Sequence, residues 1–120
     1  MYNYKIKEDL DCGIRAASKV FGGKWKCCIL DAISKGIDRP ADIKRYIEEA
    51  SIRVVELQLS ELLFFGVVER FSEDVYPKKS HYKLTSLGIS ILPILSMMDQ
   101  WGIKNSEFIK ERQKELNNSE

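Results

Sequence analysis

Residues 51–71 read SIRVVELQLSELLFFGVVERF, and two patterns meet inside that stretch. Up to Phe65, Val55, Leu59 and Leu62 recur at helical spacing behind Ser51, a residue suited to capping a helix N-terminus. Gly66 interrupts the pattern, and Val67 to Phe71 then alternates as a strand does. His81 to Leu84 can alternate too. Between the two runs lies SEDVYPKKS, residues 72–80, a polar loop with a proline. The pair reads as a two-stranded hairpin with a protruding, lysine-bearing tip. A helix therefore runs almost directly into a hairpin.

Working upstream, Ile43, Tyr46 and Ile47 mark a short helix, with Asp38 and Pro40 where an N-cap and an early helical proline belong. Before it, Trp25, Cys28, Ile29, Ala32 and Ile33 predict one face of a helix closed by Gly36. Cys28 then falls among core residues, while Lys24 and Lys26 are expected in solvent or on phosphate. Ile14, Ala17, Val20 and Phe21 predict another helix, ended by Gly22-Gly23. Downstream, Thr85 caps a long helix in which Leu87, Ile91, Leu92, Leu95, Met98 and Trp101 face one way, with a kink expected at Pro93. After about residue 114 a polar, frayed tail is expected. The chain is thus mostly α (α+β): a helical cluster, a hairpin, then a long helix. Two short helices joined by a brief turn, the second followed at once by a hairpin, describe a winged helix-turn-helix. Pro40–Ile47 is the support helix, Ser51–Phe65 the recognition helix and the hairpin the wing.

At 120 residues, with 44% hydrophobic and 31% charged residues, the chain suits one soluble domain over 1–120. Its core is expected over 12–102, with 1–11 and 103–120 as dimerisation arm and tail. No apolar run approaches the roughly 18 residues a membrane span needs, and the N-terminus resembles no targeting segment, so a cytoplasmic protein is expected. Enzymatic chemistry finds no footing. GGKWK at 22–26 lacks the spacing of a phosphate-binding loop, and adjacent Cys27-Cys28 lacks that of a redox pair. His81 is the single histidine and no paired-cysteine motif accompanies it, so neither a metal site nor a cofactor is expected.

Many residues in this order carry a family resemblance. They include Cys12, Gly22–Lys26, Ile29-Leu30, Arg39, Ile43 and Arg45, then Ser51, Arg53, Gln58, Leu59, Glu61, Leu62, Gly66 and Arg70. Pro77, Tyr82, Leu84-Thr85, Leu87-Gly88, Leu92–Leu95 and Trp101-Gly102 complete the set. Over Cys12 to about Gly102 the chain resembles the HxlR-type transcriptional regulators, a bacterial branch near the MarR-like winged-helix proteins. It departs from that pattern at Gly13, at the Tyr76–Lys79 tip, at Ile52, Glu56 and Leu57, and at Leu63-Phe64-Phe65.

A net charge of +1 does not argue for nucleic acid, so the placement of the basic residues matters more than their sum. Arg39, Lys44, Arg45, Arg53, Lys78 and Lys79 lie on the presumed DNA side. Lys44, Arg45, Lys78 and Lys79 suit phosphate contact, and Arg53 suits bidentate reading of a guanine. Ser51 caps the helix, contacts phosphate, or does both. Ile52 and Leu57 suit thymine methyls, and Glu56 suits cytosine N4 or an ion pair with Arg53. The long helix is apolar on more than one side, which predicts a homodimer on a pseudo-palindromic operator, through Ile14, Ile91, Leu95, Met98, Trp101 and Phe108. Cys12 begins the first helix, where the amides and Arg15 favour a thiolate and Asp9 and Asp11 oppose one. The resemblance implies that some relatives sense oxidants or electrophiles through a cysteine at this position; an unreactive cysteine near a dimer interface is the plainer reading. The expected function is a dimeric, DNA-binding transcriptional regulator, more often a repressor by resemblance. The alternative is a winged-helix protein-interaction module that does not bind DNA.

Overall fold

Helix, glycine and strand are what the opening stretch forms. The structure, a computed structural model, describes residues 10–77 and 79–119. Four helices come first: α1 (Gly13–Phe21), α2 (Lys26–Ser34), α3 (Pro40–Ile47) and α4 (Ile52–Phe64). Strands β1 (Val68–Ser72) and β2 (Ser80–Leu84) pair antiparallel, with Phe71 opposite His81. Three helical segments follow, α5 (Ser86–Ile89), α6 (Leu92–Lys104) and α7 (Ser106–Asn118). The fold is a mostly helical winged helix-turn-helix.

The local causes are specific. Ser51 caps α4, its hydroxyl accepting from the Val54 amide at 3.1 Å. At the other end Gly66 adopts φ +76°, which glycine tolerates without strain. That turn lets the Gly66 amide donate to the Leu63 carbonyl and the Val67 amide to the Leu62 carbonyl, a Schellman closure that delivers the chain into β1. Thr85 closes the far side of the wing. Its hydroxyl donates to the Gly66 carbonyl at 2.6 Å and accepts from the Gly88 amide, capping α5. Gly88 passes so close to the hairpin that a Cβ there would lie 2.1 Å from the Val67 carbonyl oxygen.

Two compact units divide the described chain, one ending at Ile89 and the other starting at Ser90. In the first, Ile29, Leu30, Ile43, Val55, Leu59, Leu62, Val67 and Val68 are fully buried, joining α2, α3, α4 and the wing in one core. Here the expected α2 face holds in part. Ile29, Ala32 and Ile33 are buried as expected, together with Lys26 and Leu30, whereas Cys28 is exposed. Successive helical residues lie about 100° apart, so a modest rotation of the helix turns Cys28 outward and brings Leu30 to the core. It also buries Lys26, which is not in solvent as expected but paired with Glu61 at 2.9 Å.

In the second unit, Pro93 opens α6 at its second position instead of kinking a longer helix, because a missing amide hydrogen there removes no helical bond. α6 and α7 run on through Asn105: the Asn105 amide donates to the Trp101 carbonyl and the Ile109 amide to the Asn105 carbonyl. The last helix reaches Asn118, beyond the expected fray.

Candidate nucleic-acid interface

The junction of α3 and α4 is a four-residue turn, 48–51, of the length helix-turn-helix units use. Glu48 takes φ 67° and ψ −52°, and the Glu49 amide donates to the Ile47 carbonyl across it, a γ-turn of the strained hand. Lys44 secures the turn by donating through Nζ to the Glu48 carbonyl at 2.7 Å. Ala50 is buried behind it, and Ser51 then starts α4.

Along α4 the buried stripe Val55, Leu59 and Leu62 leaves Ser51, Ile52, Arg53, Glu56 and Leu57 exposed together on the outer side. Arg53 has no hydrogen-bond or ion-pair partner among the described residues, so neither Glu56 nor any other described carboxylate neutralises it. Its guanidinium fork is free to take an external acceptor. Arg45 is exposed too, but is held by Asp42 one turn back.

Arg39 is placed differently from what the sequence suggests. It stands at the N-cap of α3 and donates to the Glu73 carboxylate at 2.9 Å, which ties α3 to the loop after β1. Its other terminal nitrogen is buried without a partner. The Tyr82 amide also donates to the Asp38 carbonyl, so the wing is fastened to α3 by both strands' surroundings. At the tip the Glu73 amide donates to the Lys79 carbonyl, leaving the Lys79 side chain exposed. Lys78 lies outside the described residues. Sequence reasoning missed Tyr76, 91% exposed at the tip, and Arg70, whose Nε donates to Ser80 Oγ across the wing. A bare aromatic beside lysines could have signalled the first; nothing local signals the second.

The profile of the HxlR-like helix-turn-helix family covers residues 20–110. The chain belongs to the HxlR-like family. An HTH-type transcriptional regulator of Bacillus subtilis (strain 168), YtcD, is 34% identical to it over 96 residues, 80% of this chain and 76% of that protein. The redox regulator HypR in its oxidised form superposes with a TM-score of 0.74 at 33% identity, covering 78% of this chain and 97% of HypR. Diamide-treated YodB from B. subtilis gives 0.65 at 25% identity, covering 78% of this chain and 92% of YodB. As an HxlR-like, MarR-related protein, the chain is a transcriptional regulator with a DNA-binding helix-turn-helix. No helix among its described residues is long and apolar enough to cross a membrane.

The thiols of this HxlR-like chain differ in setting. Cys12 is the N-cap residue of α1 and half-buried. Cys27 donates to the Phe21 carbonyl, and burial, then the neighbouring Cys28, push its thiol up from the usual range. Cys28 is pushed up as well, by what shielding it has and then by Asp31. Both therefore stay protonated and poorly nucleophilic at neutral pH. Nearby, Tyr46 and then Asp31 hold the Lys35 ammonium well above its ordinary range at the edge of α2 and α3.

Of the residues expected at a subunit contact, Ile14, Met98, Trp101 and Phe108 are exposed. Ile91 and Leu95, at 5% and 9% exposure, leave little surface for a partner.

Proposed function

We propose that the protein is a homodimeric, sequence-specific repressor in which α4 enters the major groove and the wing follows the backbone. The observation that carries this reading is the outer face of α4, led by the Ser51 cap and bearing an unpartnered Arg53 beside exposed Leu57. Arg53 reads a guanine; Lys44, Arg45, Lys78 and Lys79 contact phosphate, Arg39 positions the wing through Glu73, and Ile52, Glu56 and Leu57 meet base edges. Two-fold symmetry places the two α4 helices about 34 Å apart, matching a pseudo-palindrome, and a small rotation of the subunits breaks that match. Met98, Trp101 and Phe108, with Ile14, supply exposed apolar area for the dimer. Cys12 is the thiol through which an oxidant would act. The likeness to the redox regulator HypR and to diamide-treated YodB supports a redox-responsive reading.

Selecting bound genomic fragments, then measuring their affinity against random duplex, tests the reading. Arg53→Ala is expected to lose about 1–3 kcal/mol on the selected sequence and much less on random DNA. Equal losses on both would remove its base-reading role. A monomeric mass at micromolar concentration would overturn the dimer, and unchanged operator release by diamide in Cys12→Ser would remove the thiol switch. Rising reporter expression when the gene is deleted distinguishes repressor from activator.

One observation favours the second reading: Phe64 is 83% exposed at the end of α4, as suits a protein-docking surface. Absence of binding to random duplex at low salt would favour it, because phosphate contact strengthens steeply as salt falls.

A further inference from the structure

Charges at helix ends ordinarily follow the backbone dipole, with anions near N-termini and cations near C-termini. Lys26 and Glu61 do the reverse. Lys26 is the first residue of α2, and Glu61 lies in the last turn of α4. Lys26 is also the one charged side chain buried among the described residues, at 9% exposure. Each placement is unfavourable within its own helix. They become favourable together only when α2 and α4 dock, bringing the ammonium 2.9 Å from Glu61 Oε1. Where a chain breaks a local rule twice at one contact, stability alone does not explain the choice.

The apolar contacts between the two helices cannot supply what the pair supplies. Burial of Ile29, Leu30, Val55, Leu59 and Leu62 supplies the attraction between the helices, and the hydrophobic effect itself has no direction. Lys26 is shielded while the Glu61 side chain stays 47% exposed, so the buried ammonium is satisfied only in the narrow range of geometry that keeps Glu61 within reach, and setting register is the best-attested use of such charged groups. Glu61 also shares a helical row with the reading side chains: Arg53, Leu57 and Glu61 follow one another at intervals of four. Holding Glu61 therefore holds the azimuth of Arg53.

We propose that Lys26 and Glu61 are positioning residues that fix the rotation of α4 on α2 and thereby set which base edges Arg53, Glu56 and Leu57 reach. This rests on the DNA-binding reading above. Neither residue touches DNA in this account; both act through α4.

The test uses the full chain with Lys26→Met, Glu61→Gln and the exchange Lys26→Glu/Glu61→Lys, measuring binding to a selected genomic fragment and to random duplex at one salt concentration. The two single variants change net charge in opposite directions, so affinity for random duplex falls in Lys26→Met and rises in Glu61→Gln. Discrimination, the ratio of the two affinities, falls at least about fivefold in both. The exchange restores the pair with each charge now at the favoured helix end, so it regains discrimination and melts no lower than the natural chain. If Lys26→Met does not fold, Glu61→Gln, which keeps an acceptor oxygen, decides the matter alone. Discrimination unchanged in the folded single variants, or not regained by a folded exchange, overturns the inference and leaves DNA reading intact. A natural chain that prefers no fragment over random duplex overturns both.

Discussion

Helices α4 and α7 are both 13 residues long, yet they treat their apolar residues in opposite ways. In α4, Val55, Leu59 and Leu62 disappear completely into the chain's own core, and what remains outside is a mixed face with a free arginine. In α7 no residue is buried, and Phe108, Ile109 and Leu116 stay in solvent; Met97, Trp101 and Ile103 do the same on α6. A helix whose apolar stripe is satisfied internally can offer its outer side to a polar ligand. A helix whose stripe is left wet forgoes roughly 1.5–3 kcal/mol for each large side chain and calls for another apolar surface. The contrast separates the part of the molecule suited to reading DNA from the part suited to a second copy.

Substitution at the two sites should sharpen that contrast. Leu59→Ala should lower unfolding free energy by about 2–5 kcal/mol in urea titrations at any protein concentration, since it opens a cavity in a closed core. Phe108→Ala should leave the unfolding of dilute protein within about 0.5 kcal/mol and instead weaken self-association in sedimentation runs. Equal, concentration-independent losses would erase the distinction. Next in size comes Gly88→Ala, where a methyl group meets the Val67 carbonyl oxygen at 2.1 Å. A loss of about 1–3 kcal/mol is expected, with amide exchange quickening first around Val67 and Thr85. The smallest effect, and the one of opposite sign, is Glu48→Gly. Relief of the γ-turn strain, less the added freedom of glycine when unfolded, should raise stability by about 0.5–1 kcal/mol. A lower melting temperature would show that the turn between α3 and α4 is relaxed as it stands.

Much of this was legible in order and type. Ser51 as a cap, Gly66 as a break, and the spacing of Val55, Leu59 and Leu62 each act within a few residues of chain, where pattern and geometry are directly linked. The outer residues Arg53, Glu56 and Leu57 follow from the same spacing, because naming the inner side of a helix names the outer one. The helical phase of α2 was less legible. Both the Cys28 face and the Lys26 face contain apolar residues at the right interval, and which one turns inward depends on what α4 presents there. Pro93 is ambiguous for a related reason: proline opens a helix as well as bending one.

Taken alone, then, the amino-acid order determined the succession of elements, the caps and breaks that bound them, and the family of regulators they compose. These are short-range matters of backbone conformation and periodicity. Only the tertiary structure decided that Lys26 is buried on Glu61, that Arg39 is engaged by Glu73, and that Arg53 stays free. Such pairings join residues more than thirty positions apart, and a charge carries no mark of its partner until packing brings the two together in place of the water that would otherwise serve it equally well.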